Sequence, residues 1–192
     1  MPLPLAVAIT GASGAIYGVE LLRALHDLGQ PGHLVISQAG QRTLELETDW
    51  SLAQVQALAA KVHEVDDLAA PLSSGSFQTA GLAVTPCSIK TLSAIAHSFN
   101  HNLITRAADV CLKERRKLVL VVRETPLHQG HLELMARAAG LGAVILPPMP
   151  AFYHRPATVL DIVRQTVGKV LDQFGVEHDL FARWRGAGSQ KQ

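Results

Sequence analysis

Aromatic side chains make up only 5% of this chain, so a core built from it has to come from Leu, Val, Ile and Ala. Its two cysteines, Cys87 and Cys111, form no CxxC pair and are too few for a disulfide framework. That predicts free thiols and a cytoplasmic protein. A formal net charge of +1, with nine histidines counted neutral, supplies no field for nucleic acid or an acidic membrane surface. No apolar run approaches the ~20 residues of a membrane span. The stretch from Leu3 to Ile9 also lacks the basic flank of a signal peptide. Internal repeats and low-complexity segments are missing too, and only Gly186 to Gln192 reads as a loose tail.

What is present is enough for one sizeable α/β domain, spanning 1–185, because a chain of 192 residues buries roughly 70% of its unfolded surface. Leu5 to Ile9 is wholly apolar, which suits a strand covered on both faces of a parallel sheet. Thr10 to Ser13 supply a tight polar turn. From Gly14 to Leu28, Ile16, Val19, Leu22 and Leu25 recur at helical spacing, so the turn opens a helix. Free amides and the helix dipole make such a start a ready anion site, although Gly11 and Gly14 would also serve a plain sharp turn. A dinucleotide fingerprint starting at Gly11 fails at Ser13 and Ile16. The second strand ends in Ser37 and Gln38, with no acidic residue for a ribose. A mononucleotide remains, with Ser13 offering a hydroxyl.

Further strands are expected at His33 to Ser37, Lys61 to Val65, Gly81 to Thr85 (stopped by Pro86), Leu118 to Val122 and Ala143 to Leu146. Helices are expected over Gln41 to Thr48, from an N-cap at Ser51 to Val62, and over Thr91 to His97. Leu103 to Glu114, Leu132 to Ala139 and Thr158 to Phe174 complete the helical set, and Pro71 to Gln78 reads as a flexible loop. This alternation argues a doubly wound parallel sheet, in which ligands sit beyond the carboxyl ends of the strands.

The segments leaving those ends carry the candidate chemistry. Pro86-Cys-Ser-Ile-Lys-Thr91 offers hydroxyls, a lysine and helix-start amides, or simply a helix cap by Ser88. Arg123-Glu124 follows a buried strand directly, where a charged pair is costly unless it is used. Pro147 to Pro156 is rigid and presents Tyr153, His154 and Arg155. Cys87 has no assignable histidine and carboxylate, so a buried structural thiol is the better reading. The pairs His97/His101 and His128/His131 read as surface histidines rather than metal ligands. The Lys113 to Lys117 cluster suits a helix C-terminus or a solvated face. Glu45, Glu47 and Asp49 form a solvated face or bring one carboxylate to the site.

Taken together these segments resemble the flavin prenyltransferases of the UbiX/Pad1 type, and most closely their bacterial ubiquinone-pathway members. The likeness rests on Thr10-Gly-Ala-Ser-Gly-Ala15, Ser37, Glu47-Thr-Asp49, Ser73-Ser-Gly-Ser76 and Pro86-Cys-Ser-Ile-Lys-Thr-Leu-Ser93. It continues through Leu103 to Asp109, Leu112 to Arg116, Arg123 to Leu127, Gly142 to Pro147, Phe152 to Pro156 and Asp179 to Trp184. It implies a single-domain, Rossmann-like flavoprotein of three αβα layers. The implied activity is metal-independent transfer of a dimethylallyl group from dimethylallyl monophosphate to N5 and C6 of reduced FMN. The product serves a UbiD-type decarboxylase, and the assembly is a homododecamer with sites between subunits.

By motif the resemblance implies FMN contacts at Gly11, Ala12, Ser13, Ser37, Ser88, Ile89, Lys90, Thr91 and Arg123. It implies prenyl-phosphate contacts at Tyr153 and Lys169, helped across subunits by Arg106, Lys113 and Glu124. Glu124, or Glu47 with Ser13, is implied as a proton relay, and Tyr153 as part of the catalytic set. No metal is implied: the chain has no aspartate-rich cluster, so basic residues take the part magnesium plays in terpene enzymes. Where the family often has arginine, Lys169 keeps the charge and loses the two-pronged grip. The rivals are an FMN-dependent decarboxylase of the same fold and an FMN-binding carrier subunit.

Overall fold

Strands covered on both faces must be apolar on both, and they must divide their side chains between two layers. The computed structural model describes residues 2–184 and 186. In chain order it contains β1 (Leu5–Ile9), α1 (Ala15–Asp27), β2 (Gly32–Ile36), α2 (Gln38–Glu47), α3 (Leu52–Ala57) and β3 (Lys61–His63). A 3₁₀ turn at Pro71–Ser73 follows, then β4 (Gly81–Cys87), α4 (Ile89–Ala96), α5 (Leu103–Lys113) and β5 (Lys117–Val122). The chain continues through α6 (Gln129–Gly140), β6 (Val144–Ile145) and α7 (Val159–Gln173). The tail expected beyond 185 lies outside the described residues, except for Gly186.

The sheet order is β3-β2-β1-β4-β5-β6 with every pairing parallel. Leu5, Val7 and Ile9 of β1 and Val119 and Val121 of β5 join α1, α7, Leu44 and Val55 in one apolar layer. Their neighbours Ala6, Ala8, Leu118, Leu120 and Val122 face the other way, onto α4, α5 and Ala138 of α6. The result is the Rossmann-like three-layer fold expected. Its order reverses between β1 and β4, which opens a crevice at their carboxyl ends.

Three local expectations are corrected. The helix capped at Ser51 stops at Ala57 instead of Val62, although its capping box with Gln54 is present. Lys61, Val62 and His63 are taken into a parallel ladder beside His33, Leu34 and Val35, and that pairing outweighs helical periodicity. Pro86 does not stop β4, which runs on to Cys87 with a register irregularity between Val84 and Cys87 that accommodates the missing N–H. The segment 71–78 is tied down instead of loose. Leu72 is buried, Arg106 donates to the Ser73 carbonyl at 3.1 Å, and Arg116 donates to the carbonyls of Gly75 and Phe77.

Close approach of α1 to the sheet depends on Gly18. A Cβ there would lie 2.5 Å from the Thr85 carbonyl oxygen and 2.6 Å from Ile9 Cγ1. Gly18→Ala is expected to cost about 1–3 kcal/mol by overpacking. Gly140→Ala, with no described atom within 4 Å of the added methyl, is expected to be neutral or to stabilise by about 0.4–1 kcal/mol. Urea unfolding midpoints of the two variants check the contrast.

At the sheet edge, His63 Nε2 and His33 Nδ1 lie 3.1 Å apart, with Phe77 stacked on His33. Burial holds both imidazoles below the ordinary value of 6.5, reinforced by each other's charge at His33 and by Lys61 at both. The unfolded chain therefore takes up protons first as pH falls. Stability present above pH 6.5 is lost below it. Unfolding midpoints at pH 8 and pH 5.5 are expected to show that slope, and His63→Gln is expected to reduce it.

Candidate active site

The crevice is held open at a fixed width by Thr10, the residue that follows β1. Its hydroxyl, 1% exposed, donates to the Pro86 carbonyl at 2.8 Å and accepts from the Ser88 N–H at 2.9 Å. The exits of β1 and β4 are thereby joined across the point of reversal. Next along, the Arg123 N–H donates to the Cys87 carbonyl at 3.1 Å and brings in the exit of β5.

Two helices begin at this edge, each capped by a serine. Ser37 Oγ accepts from the Gly40 N–H at 3.0 Å and starts α2. Ser88 Oγ accepts from the Thr91 N–H at 3.3 Å, donates to Thr91 Oγ1 at 3.1 Å, and starts α4. Both open onto one polar cavity of about 520 Å³, lined by Thr10, Gly11, Ser37, Ala39, Ser88 to Thr91 and Glu124. First-turn amides have no intrahelical partner, and two converging helix dipoles favour negative charge. Lys90 adds a full positive charge at the wall. This donor set fits the phosphate of a mononucleotide.

The N-terminus of α1 is arranged differently from expectation. Its N-cap, Gly14, has φ +100, a conformation that favours glycine, and its N–H is not free. It donates to Glu47 Oε2 at 2.7 Å, so a carboxylate from the end of α2 already occupies that dipole. The contact draws Glu47 to Ser13, and both line a second cavity of about 670 Å³ with Arg123 and Glu124. Its remaining walls are mostly apolar, with Ile16, Leu127, Met135 and the Pro147 to Pro150 arm among them. Glu124 lines both cavities, which places the carboxylate where they meet; its Oε1 accepts from the Thr125 N–H at 2.9 Å.

The structure thus brings Gly11, Ser13, Ser37, Glu47, Ser88, Ile89, Lys90, Thr91, Arg123 and Glu124 to two adjoining cavities, with Ala12 in the turn between them. Four candidates line neither cavity within one chain. Tyr153 accepts from Gln165 Nε2 at 3.4 Å, and Lys169 pairs with Asp172 at 3.4 Å. Arg106 is bound to Ser73 and Asp109, and Lys113 pairs with Glu114 at the far end of α5. Sequence reasoning missed Tyr17, which also lines the apolar cavity. Its position four residues after Ser13 on a helix was the available signal. Burial raises its hydroxyl pKa, partly opposed by Arg123.

Cys87 and Cys111 are buried and free, as the structural reading of Cys87 requires. Burial raises both thiols, that of Cys111 to about 12, so neither is poised as a nucleophile. Among the described residues, no group of three or more His, Cys, Asp or Glu side chains is arranged to hold a metal ion.

Comparison with known proteins places this geometry in a family. The Flavoprotein family model matches residues 2–171. The flavin prenyltransferase UbiX of Escherichia coli is 63% identical over 186 residues, covering 95% of this chain and 98% of that one. The crystal structure of AnUbiX (PadA1) in complex with FMN and dimethylallyl pyrophosphate superposes with a TM-score of 0.95 at 48% identity, over 97% of this chain and 99% of that one. A dodecameric FMN-dependent UbiX-like decarboxylase from Escherichia coli superposes with a TM-score of 0.93 at 51% identity, over 96% of this chain and 100% of that one. With this degree of likeness along nearly its whole length, the chain belongs to the UbiX/Pad1 family of flavin prenyltransferases.

Proposed function

We propose that this chain transfers a dimethylallyl group from dimethylallyl monophosphate to reduced FMN, joining it at N5 and C6 of the isoalloxazine. The product is prenylated FMN, the cofactor of a UbiD-type decarboxylase. The observation that carries this reading is the junction at Glu124 of a polar cavity entered by two helix N-termini and a mostly apolar one. One suits a flavin phosphate and the other a short hydrocarbon. The free, buried thiols support a cytoplasmic setting.

In this reading Gly11, Ala12, Ser13, Ser37, Ser88 to Thr91 and Arg123 hold FMN, with its phosphate at the starts of α2 and α4. Reduced FMN supplies the nucleophilic nitrogen and carbon. N5 bonds to the allylic carbon as the carbon–oxygen bond breaks and phosphate departs. C6 then bonds to the far carbon of the prenyl double bond while the neighbouring carbon takes up a proton, and C6 gives up its own hydrogen as a proton. Tyr153 and Lys169, with Arg106 and Lys113 reaching across subunits, stabilise the departing group, each donor contributing about 3 kcal/mol in a dry site. Arg106 and Lys113 line neither cavity of their own chain, which supports sites shared between copies in a dodecamer like that of the Escherichia coli relative. Glu124, or Glu47 with Ser13, accepts the proton released when the flavin nitrogen is alkylated. The unit that performs this is the domain over 1–185.

Anaerobic incubation with reduced FMN and dimethylallyl monophosphate is expected to yield a flavin heavier by one five-carbon unit, with no carbon dioxide released from an added acid. Mass spectrometry reads the product. Carbon dioxide release without the mass gain would favour a decarboxylase, and bound but unaltered FMN would favour a carrier.

Glu124→Gln is expected to slow product formation at least about 10²-fold, the usual contribution of a positioned proton acceptor, with FMN affinity changed less than about twofold. Rapid-mixing absorbance and FMN titration check the two halves separately, and full turnover would remove Glu124 from the relay.

A further inference from the structure

Outside both cavities, three side chains converge on the carboxylate of Asp172 near the end of α7. Its Oδ1 accepts from His178 Nε2 at 3.1 Å and from Arg183 Nη2 at 2.7 Å. Its Oδ2 accepts from Arg183 Nη1 at 3.2 Å and from Lys169 Nζ at 3.4 Å. The His178 ring is almost wholly buried, and its Nδ1 accepts from the Leu180 N–H. Its proton therefore sits on Nε2, facing Asp172. This set of donors, Arg183 foremost, holds the Asp172 carboxyl at about 2. Two permanent cations share one anion here, so the cluster keeps a positive excess.

The cluster ties the C-terminal arm to α7. Gly168 lacks the Cβ that would lie 2.5 Å from Phe181 and 2.6 Å from His178, so both rings can approach the helix closely. Arg183 then crosses the Phe181 ring at 5.3 Å, and Trp184 meets Tyr153 edge-on at 6.3 Å. Tyr153 also accepts from buried Gln165 Nε2 at 3.4 Å. Gln165, Lys169 and Asp172 follow one another at four- and three-residue steps, along one face of α7. A staple for the arm would need Arg183 alone. The added pairing of Lys169, itself half exposed, contributes little to stability, yet it orients a cation on this face.

We propose that Asp172 is a positioning residue for the phosphate side of the reaction: its carboxylate holds Lys169 and Arg183 together on the Tyr153 face of α7, with the arm closed on Tyr153, ready for an allylic phosphate monoester. The inference rests on the prenyl-transfer reading above. It adds Arg183 to the phosphate subsite and assigns Asp172 a role exerted through the two cations.

The test uses full-length, FMN-loaded Asp172→Asn and Asp172→Glu, with steady-state kinetics in dimethylallyl monophosphate. In Asp172→Asn, KM is expected to rise about tenfold, the effect of one charge-assisted hydrogen bond, with kcat within about threefold and FMN affinity unchanged. Asp172→Glu is expected to recover part of the loss. Net charge alone predicts the opposite, because removing the anion would lower KM. An unchanged or lowered KM therefore overturns the proposal. Should Asp172→Asn fail to fold, Arg183→Gln on the exposed arm is expected to raise KM similarly, and an unchanged KM there overturns it equally. Wild-type protein that forms no prenylated flavin defeats the prenyl-transfer reading itself. Wild-type turnover matched by Asp172→Asn defeats this inference alone.

Discussion

One buried hydroxyl ties the sheet together where it changes direction. Thr10 bridges the ends of β1 and β4 by donating to one strand and accepting from the start of the helix that follows the other. A buried N–H left without its acceptor costs about 1–3 kcal/mol, so Ser88 is held in place by more than its own turn. Because Ser88 also caps α4, the same bridge sets where that helix begins and which way its dipole points. The polar cavity takes the spacing of its β1 and β4 walls from that bridge and the parallel ladder beside it. It would lose its shape if the two strand ends could drift apart.

The second organising contact is electrostatic. Glu47 takes the Gly14 N–H and so satisfies the start of α1 with the protein's own carboxylate. The starts of α2 and α4 are left as the places where an outside anion gains most. In the proposed reaction two tasks are thereby separated at one edge: phosphate recognition falls to α2 and α4, and proton handling to Glu47, Ser13 and Glu124 beside a mostly apolar wall. A relay at the mouth of a mostly apolar cavity is less screened by water, which strengthens each of its interactions.

Much of the fold was legible because the strands are short, apolar and regularly separated by helical periodicity. The period-two division of β1 and β5 between layers follows directly from their residue order. The errors have a common cause. Val62 left its helix, β4 continued past Pro86, and 71–78 became ordered because partners distant in sequence offered better interactions than local propensity did. Within the site, Gly11 to Ser13, Ser37, Ser88 to Thr91 and Arg123-Glu124 could be found as polar segments leaving apolar strands. Glu47 on Gly14 could not, since 33 residues separate them and nothing local marks the contact. Tyr17 was hidden by its resemblance to an ordinary core aromatic.

By itself, the order of residues determined that this would be a parallel, two-sided sheet with its polar loops at one edge. Apolar strands need cover on both faces, and right-handed crossovers send all their exits the same way. It also determined which residue types would stand at those exits. Only the tertiary structure decided which exits meet. The Thr10 bridge, the Glu47 contact and the Asp172 cluster each join groups whose separation in space is set by packing across the molecule, which no local pattern of residues can specify.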